Sequence, residues 1–390
     1  MRNKIFITIF MIIIIVLPLF ILLREQKEFS SLENRVLTKR NDLSEKSIIK
    51  NDFQDNLENV LVDQMILGQK MKQYYNYLKN ISSSSLLERI YDNKEENYFI
   101  PLGNEVYKLS KSNYLVYKPY SFDKVEKELN NHINNINSIY KKYNIPVYTF
   151  YINKDIDINI YNQVNEFMKE KLNKNIKYDY MKMINNDNND YYNLYKNYFY
   201  KTDHHWNYKG AFEGYKLVSK MFNNNILDYE KEICFENVKF TGSKGKKVGD
   251  FSNYDKFCVY QFNLLEHKVY INGKETNYGN KELYYKNRHQ NELGTNHYGL
   301  YYGGDYGEVV YDFNNDKENL LIFSNSYSNA INDLVASSFN KTYVIDLRAY
   351  EEDLGYKFNL DNYIKKNKIN KILFLGDINF YISDVFMIDM

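Results

Sequence analysis

The sequence predicts an α/β protein built on a doubly wound parallel sheet. Its strongest sign is a set of apolar runs of strand length: IPVYTFYI at 145–152, NLLIFSN at 319–325, KTYVIDL at 341–347 and NKILFLG at 370–376. Continuous apolar runs are typical of parallel strands that are covered on both faces. Helical spacing precedes the first run, at 122–143, and the last, at 361–366. Strands that alternate with such helices predict βαβ units with right-handed crossovers.

The pattern along the chain predicts three parts: an apolar segment at 1–23, a helical stalk or subdomain at 24–90, and an α/β domain at 91–390. The serine run ISSSSLL near the end of the second part indicates a loop. The third part opens with β-like alternation, and its long section at 225–310 is rich in Gly, Tyr and short alternating segments. That section predicts a β-rich insertion or a set of long loops.

Residues 5–23 are almost unbroken in apolar character. At about 1.5 Å per residue they span roughly the ~30 Å hydrocarbon core of a bilayer. Arg2 and Lys4 make a cleaved signal peptide the alternative, but the apolar run is longer than the usual ~7 to 15 residues and no small-residue cleavage site follows it. We expect an uncleaved signal anchor, with the rest of the chain at the cell membrane outside the cytoplasm.

The charge balance of 51 Lys and Arg against 50 Asp and Glu leaves a formal charge of +1, so no basic field argues for a nucleic-acid partner. Two cysteines, Cys234 and Cys258, do not make a disulfide framework. Pairing outside the cell and two buried free thiols both remain open. The many Tyr and Phe residues accompany Lys, Asn and Ile, a composition that an AT-rich genome explains.

The segment YKTDHHWNYKGA at 200–211 concentrates residues that carry chemistry. Residues two apart point the same way in an extended segment, so Asp203 and His205 can cooperate there. A carboxylate that accepts a hydrogen bond from one imidazole nitrogen sets the tautomer and leaves the other nitrogen free to act as a base. Asn207 is a good N-cap for a following helix, in which Gly210 and Gly214 permit close packing.

A nucleophile to match this base is expected at the carboxyl edge of a parallel sheet. The segment SNSYSNAI at 324–331 follows the apolar strand and precedes a helical pattern, which places Ser326 at the turn. Backbone N–H groups at the start of a helix can stabilise an oxyanion there. Ser324 and Ser328 are rivals on spacing alone.

These segments together resemble the bacterial DHHW protein family, which is itself similar to the SGNH-hydrolase-like proteins of alginate and polysaccharide O-acetylation. The quoted residues are YKTDHHWNYKGAFEGY, LLIFSNSYSNAI and VIDLRAY. The resemblance implies an SGNH-like fold, with Asp203 as the orienting acid, His205 as the general base and Ser326 as the nucleophile. Asn329 and Arg348 also match residues typical of the family, without an assigned role.

One departure from the family pattern lies directly before the nucleophile. The usual motif is Gly-Asp-Ser, and here Ser324 and Asn325 precede Ser326. A larger residue in place of Gly at a tight turn can alter the backbone that shapes an oxyanion hole. The backbone N–H groups of Gly242, Gly303 and Gly304 are alternative donors to the oxyanion, suggested by composition alone.

A metal site and a sugar-stacking platform are the alternative roles for this cluster. A metal site from Asp203, His204 and His205 is disfavoured because adjacent histidines diverge and no Cys or third His stands at a zinc-like spacing. The chemistry requires no cofactor. Trp206 is interpreted as core packing rather than a sugar platform, and His204 as a supporting or exposed residue.

The resemblance implies a membrane-anchored O-acetyltransferase of cell-surface or secreted polysaccharide, acting through an acyl-serine. A membrane-bound O-acyltransferase that supplies acetyl groups is the implied partner. An acetylesterase of the same mechanism is the first alternative, since only the acceptor differs. A catalytically weakened polysaccharide-binding or scaffold protein is the second, and the Ser324-Asn325 pair favours it.

Overall fold

The computed structural model describes residues 2–30, 35–41, 52–65, 67–91, 99–154, 156, 158–182, 188–277, 281, 285–286 and 293–389. The α-helices in these residues are numbered in chain order: α1 Arg2–Met11, α2 Leu17–Leu23, α3 Asp52–Asp63, α4 Gly68–Tyr91, α5 Phe122–Tyr143, α6 Ile158–Lys171, α7 Asn188–Tyr198, α8 Tyr208–Met221, α9 Ser243–Val248, α10 His297–Tyr302, α11 Asn332–Ala336, α12 Leu347–Leu354, α13 Leu360–Asn367 and α14 Ile378–Ile382.

The strands in the same residues are β1 Phe29–Ser30, β2 Arg35–Val36, β3 Phe99–Gly103, β4 Val106–Leu109, β5 Leu115–Tyr117, β6 Val147–Tyr151, β7 Lys177–Tyr180, β8 Lys231–Phe240, β9 Asp255–Gln261, β10 Lys268–Ile271, β11 Lys274–Thr276, β12 Glu308–Asp312, β13 Leu320–Ser324, β14 Lys341–Ile345 and β15 Lys371–Gly376. The chain divides into two compact units. The first comprises Met1–Leu115, Lys239–Asp255 and Asn291–Asn296, and the second comprises Val116–Val238, Lys256–Gln290 and His297–Met390.

The first unit begins with the predicted apolar helix. Helices α1 and α2 are joined without a break by a π-helical stretch, Ile12–Val16. The resulting helix is long and apolar enough to cross a membrane over Lys4–Leu23, and only 6% of its most apolar window is buried. Its side chains are exposed over residues 4–16, and Ile21 near its end is buried.

The helical spacing predicted for 24–90 is present in α3 and α4, although 31–34 and 42–51 lie outside the described residues. The prediction of a loop at the serine run is wrong, since residues 81–87 lie inside α4. Serine carries only a small helix penalty, and the residues around it are good helix formers. Strands β3, β4 and β5 form a three-stranded sheet where the sequence predicted β-like alternation.

The second unit is built on an eight-stranded sheet, in the order β11-β10-β12-β14-β13-β15-β6-β7. The four predicted apolar runs became β6, β13, β14 and β15, which lie side by side and pair in parallel. Every residue of β6 and β13 is buried. Strand β7 adds a fifth parallel strand at the edge.

The sheet is mixed, so the prediction of a parallel doubly wound sheet is correct only in part. Strand β12 pairs antiparallel with β14, and β10 pairs antiparallel with both β12 and β11. These three strands come from the 225–310 section and its end, and they extend the central sheet. Asn272 and Gly273 have φ of 50° and 77°, the left-handed pair that a two-residue hairpin turn requires.

A disulfide joins Cys234 on β8 to Cys258 on β9, which settles the open question of their pairing. Their Cα atoms lie 4.0 Å apart. Strands β8 and β9 form a sheet of their own.

The carboxyl ends of β6, β13 and β15 reach the same edge of the central sheet because the three strands run in parallel. Polar residues follow each of these ends: Lys154 after β6, Ser326 after β13 and Asp377 after β15. This edge is where open α/β sheets place their functional groups.

Candidate active site

The Asp-His-His-Trp segment forms a short bent loop, closed by a β-bridge between Phe199 and Trp206. The His205 carbonyl accepts a hydrogen bond from the Tyr200 N–H at 3.2 Å, which completes the closure. Asp203 lies inside the loop, and its Oδ1 accepts from both the backbone N–H and Nδ1 of His205, at 3.0 and 2.6 Å. The carboxylate therefore holds the imidazole from two directions.

Helix α8 begins two residues after Trp206 and holds the loop in place. The Asn207 side chain caps the helix by accepting from the N–H groups of Lys209 and Gly210, as predicted. A Cβ at Gly210 would lie 2.2 Å from the Tyr198 carbonyl oxygen, and one at Gly214 would lie 2.4 Å from the Trp206 ring. Only glycine allows this approach, so the predicted close packing is confirmed.

Ser326 lies two residues beyond the end of β13, and its Oγ is 2.8 Å from Nε2 of His205. The rival serines lie elsewhere: Ser324 and Ser328 are buried and bond to each other, with their Oγ atoms 2.6 Å apart. The structure thus brings Asp203, His205 and Ser326 into one chain of hydrogen bonds and leaves Ser324 and Ser328 out of it.

The backbone after Ser326 differs from the predicted helix start. It first forms a 3-10 turn, Ser328–Ala330, before α11. The Ser328 and Asn329 N–H groups donate to the carbonyls of Asn325 and Ser326, at 3.1 and 3.3 Å. The Tyr327 N–H donates to Oδ1 of Asn325 at 3.4 Å.

Electrostatics keep Asp203 ionised. Burial opposes its charge, but His204 and His205 outweigh burial and hold the pKa of Asp203 well below its ordinary value. For His204, burial and then the neighbouring His205 lower the pKa. The His204 side chain keeps 32% of its surface exposed.

The argument that adjacent histidines diverge is wrong. The His204 and His205 rings lie with their centroids 3.8 Å apart, and Nδ1 of His204 is 3.7 Å from Oδ1 of Asp203. One ligand atom from each of Asp203, His204 and His205 falls within 4.8 Å of the others. In the same geometry both ring nitrogens of His205 and Oδ1 of Asp203 already take part in the hydrogen-bond chain, so a metal ion would have to displace it.

A cavity of about 350 Å³ opens beside Ser326. Its lining combines polar and apolar side chains: His204, Asn325, Ser326, Tyr327, Arg348, Asp377, Asn379, Ile382, Ser383 and Phe386. Arg348 enters it from the start of α12, with its Nε 2.9 Å from Asp346 and its Nη2 3.0 Å from Asp305. The charge of Arg348 is thus matched by two carboxylates.

Trp206 and Asn329, two further candidate residues from the sequence, are not among the residues that line this cavity. Trp206 is fully buried, which agrees with core packing and leaves no face for a sugar. The Asn329 amide donates to the carbonyls of Gly303 and Gly304, both at 3.3 Å. Asn329 therefore ties the turn after Ser326 to the end of α10.

Sequence reasoning missed Tyr298. Its ring stacks on His205, with centroids 3.8 Å apart and an interplanar angle of 8°, and its hydroxyl donates to the Ser326 carbonyl at 3.1 Å. No motif marks this tyrosine among the 41 in the chain.

A buried ion pair beside the site was also missed. Lys154 and Asp377 lie 2.5 Å apart, and the Asn325 amide donates to Asp377 at 2.7 Å. Burial opposes ionisation of Asp377, but Lys154 and Asn325 outweigh it and lower its pKa. Lys154 follows strand β6 by three residues and Asp377 follows β15 directly. Their positions after apolar strands could have predicted them at this edge of the sheet.

No protein-family model and no curated protein matches the sequence. Solved structures do match. A DHHW family protein from Eubacterium siraeum is 18% identical, with a TM-score of 0.55 over 74% of this chain and 95% of that one. The fold is similar to that of a DHHW family protein. The resemblance to the DHHW family that the sequence indicated is thus confirmed for the fold.

Bacillus cereus PatB1, described with a sulfonyl adduct, is 23% identical, with a TM-score of 0.55 over 74% of this chain and all of that one. The O-acetyltransferase domain of Pseudomonas putida AlgJ is more distant, at 12% identity and a TM-score of 0.38 over 74% of this chain and 94% of that one.

Proposed function

We propose that this chain is an acyltransferase that works through an acyl-serine at Ser326. The observation that carries the proposal is the hydrogen-bond chain from Asp203 through His205 to Ser326, which opens on a cavity. Its distances of 2.6 and 2.8 Å are those at which a carboxylate orients an imidazole and the imidazole takes a hydroxyl proton.

In the first half of the reaction, Nε2 of His205 accepts the proton of Ser326 as Oγ bonds to the acyl carbon of the donor ester. The ester's carbon–oxygen bond then breaks, and His205 returns the proton to the leaving oxygen. The Tyr327 N–H, directly after Ser326, is our candidate donor to the oxyanion, since the Ser328 and Asn329 N–H groups donate to carbonyls within the turn. Asp203 stabilises the imidazolium in both transition states.

In the second half, His205 removes a proton from an acceptor hydroxyl as its oxygen attacks the acyl carbon. The bond from that carbon to Oγ then breaks, and His205 returns the proton to Oγ. A sugar hydroxyl as acceptor makes the chain an O-acyltransferase, and water makes it an esterase. Acetyl as the acyl group and a cell-surface or secreted polysaccharide as the acceptor are supported by the resemblance to polysaccharide O-acetylation proteins. A membrane-bound O-acyltransferase that supplies acetyl groups belongs to the same proposal.

The proposed location is the outer face of the cell membrane. The N-terminal helix is long and apolar enough to cross a bilayer. The Cys234–Cys258 disulfide supports the orientation, because disulfides persist in oxidising compartments and are rare in the cytosol.

The proposal is tested by p-nitrophenyl acetate hydrolysis with the full-length protein in detergent micelles. We expect Ser326→Ala and His205→Ala to reduce turnover to background while circular dichroism shows an unchanged fold. Ser324→Ala is the matched control, since that hydroxyl bonds to Ser328 and does not reach His205. Equal turnover of the parent and Ser326→Ala would reject the acyl-serine.

Sulfonyl fluorides react with activated serine hydroxyls, so phenylmethylsulfonyl fluoride probes the same point without a substrate. We expect one added sulfonyl group, at Ser326, in the parent and none in His205→Ala. Adding methyl glucoside to the acetate assay then measures how the acyl-serine divides between sugar and water. A parent that neither turns over nor takes the label would favour the binding or scaffold alternative.

A further inference from the structure

One face of helix α4 in the first unit is apolar and exposed. Leu67 just before the helix and Met71, Tyr74, Tyr75 and Leu78 within it are between 48% and 66% exposed. Their spacing of four, three, one and three residues places them on one side of a helix. With Lys70 they line a shallow groove along the first three turns.

The opposite side of α4 is polar and packs against protein. A Cβ at Gly249, at the end of α9, would lie 3.2 Å from Cβ of Asn76 and 3.3 Å from Cα of Gln73. A helix on the surface of a soluble protein turns its apolar stripe toward the core and its polar side toward water. Over these turns α4 does the reverse, which indicates that its outer surroundings are not bulk water.

The chain enters α4 beside the end of the apolar N-terminal helix. Gln64, four residues before α4, is buried and accepts from the Arg24 guanidinium through its carbonyl. Its side chain also accepts from the Lys27 N–H at 3.0 Å and donates to the Lys27 carbonyl at 2.9 Å. Arg24 directly follows the last residue of α2. The start of α4 is thus tied to the point where the proposed anchor leaves the bilayer.

Exposed large apolar residues are concentrated in this part of the chain. Outside the N-terminal helix, the described residues up to 91 include Phe29, Val36, Val62, Met65, Leu67, Met71, Tyr74, Tyr75, Tyr77, Leu78, Leu86 and Ile90. The much larger second unit has Tyr120, Tyr229, Leu265, Tyr356 and Val385 among its described residues. Apolar patches of this kind mark interaction sites.

The composition of the patch favours lipid as the occupant. Tyrosine is enriched at membrane–water interfaces, where its ring sits at the level of the headgroups. Lys70 beside the stripe and Lys79 after it are exposed and can reach anionic headgroups.

We propose that the first three turns of α4 lie in the headgroup region of the bilayer, with the face formed by Leu67, Met71, Tyr74, Tyr75 and Leu78 against lipid. This proposal rests on the membrane anchoring of the proposed function, not on its chemistry. It implies that the first unit is held against the membrane surface at two places, the anchor and α4.

The test uses the full-length chain in nanodiscs of phosphatidylethanolamine and phosphatidylglycerol. A nitroxide is attached at Tyr75→Cys, and collisions with oxygen, which enters lipid, are compared with those of a water-soluble nickel chelate. Both native cysteines are in a disulfide, so the introduced thiol is the one that reacts. Leu78→Cys is a second site on the same face, Ile13→Cys reports on the anchor, and Tyr356→Cys is the exposed control in the second unit.

We expect labels at 13, 75 and 78 to favour oxygen and the label at 356 to favour the chelate. Labels at 75 and 78 that behave like the one at 356, with 13 in lipid, overturn the interfacial helix and leave the anchor intact. An aqueous label at 13 overturns the anchor itself. Labels at 75 and 78 shielded from both quenchers show a protein contact and also overturn the proposal.

Discussion

The side-chain amide of Asn325 donates a hydrogen bond to the buried carboxylate of Asp377, 2.7 Å away, directly before Ser326 in the chain. Asp377 also pairs with Lys154 and caps α14 by accepting from the Phe380 N–H. The family pattern has aspartate where Asn325 stands, and here an aspartate would face a second carboxylate. An amide at 325 therefore suits this neighbour, which accounts for Asn in place of Asp but not for Ser324 in place of Gly.

We predict that Asn325→Asp lowers kcat for p-nitrophenyl acetate by about 10- to 100-fold, since repulsion of roughly 1 to 3 kcal/mol would displace the turn that carries Ser326. The exchanged pair Asn325→Asp with Asp377→Asn restores one donor, one acceptor and one negative charge beside Lys154. We expect the exchanged pair to recover most of the lost activity.

Asn325→Ala with Asp377→Asn is the control, because it removes the contact without restoring it. If the exchanged pair is no more active than this control, the contact between residues 325 and 377 does not position Ser326.

Tyr298 is predicted to position His205. Tyr298→Phe removes the hydrogen bond to the Ser326 carbonyl and keeps the stacked ring, so we expect kcat to fall about fivefold, for a net loss of about 1 kcal/mol. Tyr298→Leu also removes the stack and should lower kcat further, with little change in KM.

Rapid-quench measurement of acyl-serine formation checks the prediction for Tyr298. Tyr301→Leu, on the same helix, is the control for a general packing loss. Equal effects on acyl-serine formation from Tyr298→Leu and Tyr301→Leu would contradict a specific role for Tyr298.

Gly214 is predicted to be required for the seating of Trp206. A Cβ at this position would lie 2.4 Å from the indole ring, so Gly214→Ala should lower the free energy of unfolding by about 1 to 3 kcal/mol. Gly304→Ala is the matched control, because its Cβ would lie 3.5 Å from Tyr306, an ordinary contact. Urea unfolding followed by tryptophan fluorescence measures both, and similar midpoints for the two variants would contradict the prediction.

Stability below neutral pH is predicted to depend on His132. Its ring is buried among Phe374, Phe380 and Tyr381, and burial lowers its pKa from 6.5 to about 4. Between these values the unfolded chain binds a proton that the folded chain does not, so the free energy of unfolding falls as the pH drops. The free energy of unfolding is unaffected by this group above pH 6.5. Once the pH is below 4, His132 has lowered it by about 3 kcal/mol.

His132→Phe should therefore flatten the decline of Tm between pH 7 and pH 4.5, since it removes the titrating group and keeps an aromatic ring. His267→Gln, at a partly exposed position, is the control for the removal of a histidine elsewhere in the chain. An unchanged slope in His132→Phe would assign the acid sensitivity to other groups.

The local elements of this protein were readable from its sequence. Helix α5 and strands β6, β13, β14 and β15 were predicted because their apolar patterns match the helical and buried-strand periods. Asn207 was predicted as a cap because its side chain serves N–H groups two and three residues away. Such features depend on neighbours along the chain, so the sequence alone determined them.

The tertiary structure decided what depends on distant neighbours. Strands β10, β11 and β12 could have formed a separate subdomain. They extend the central sheet because β12 pairs with β14. Which of Ser324, Ser326 and Ser328 lies within hydrogen-bond distance of His205 depends on a residue 121 positions away, and it is Ser326. Tyr298 could be placed at the site only by the packing of separate strands and helices, because its contacts with His205 and Ser326 join residues far apart in the chain.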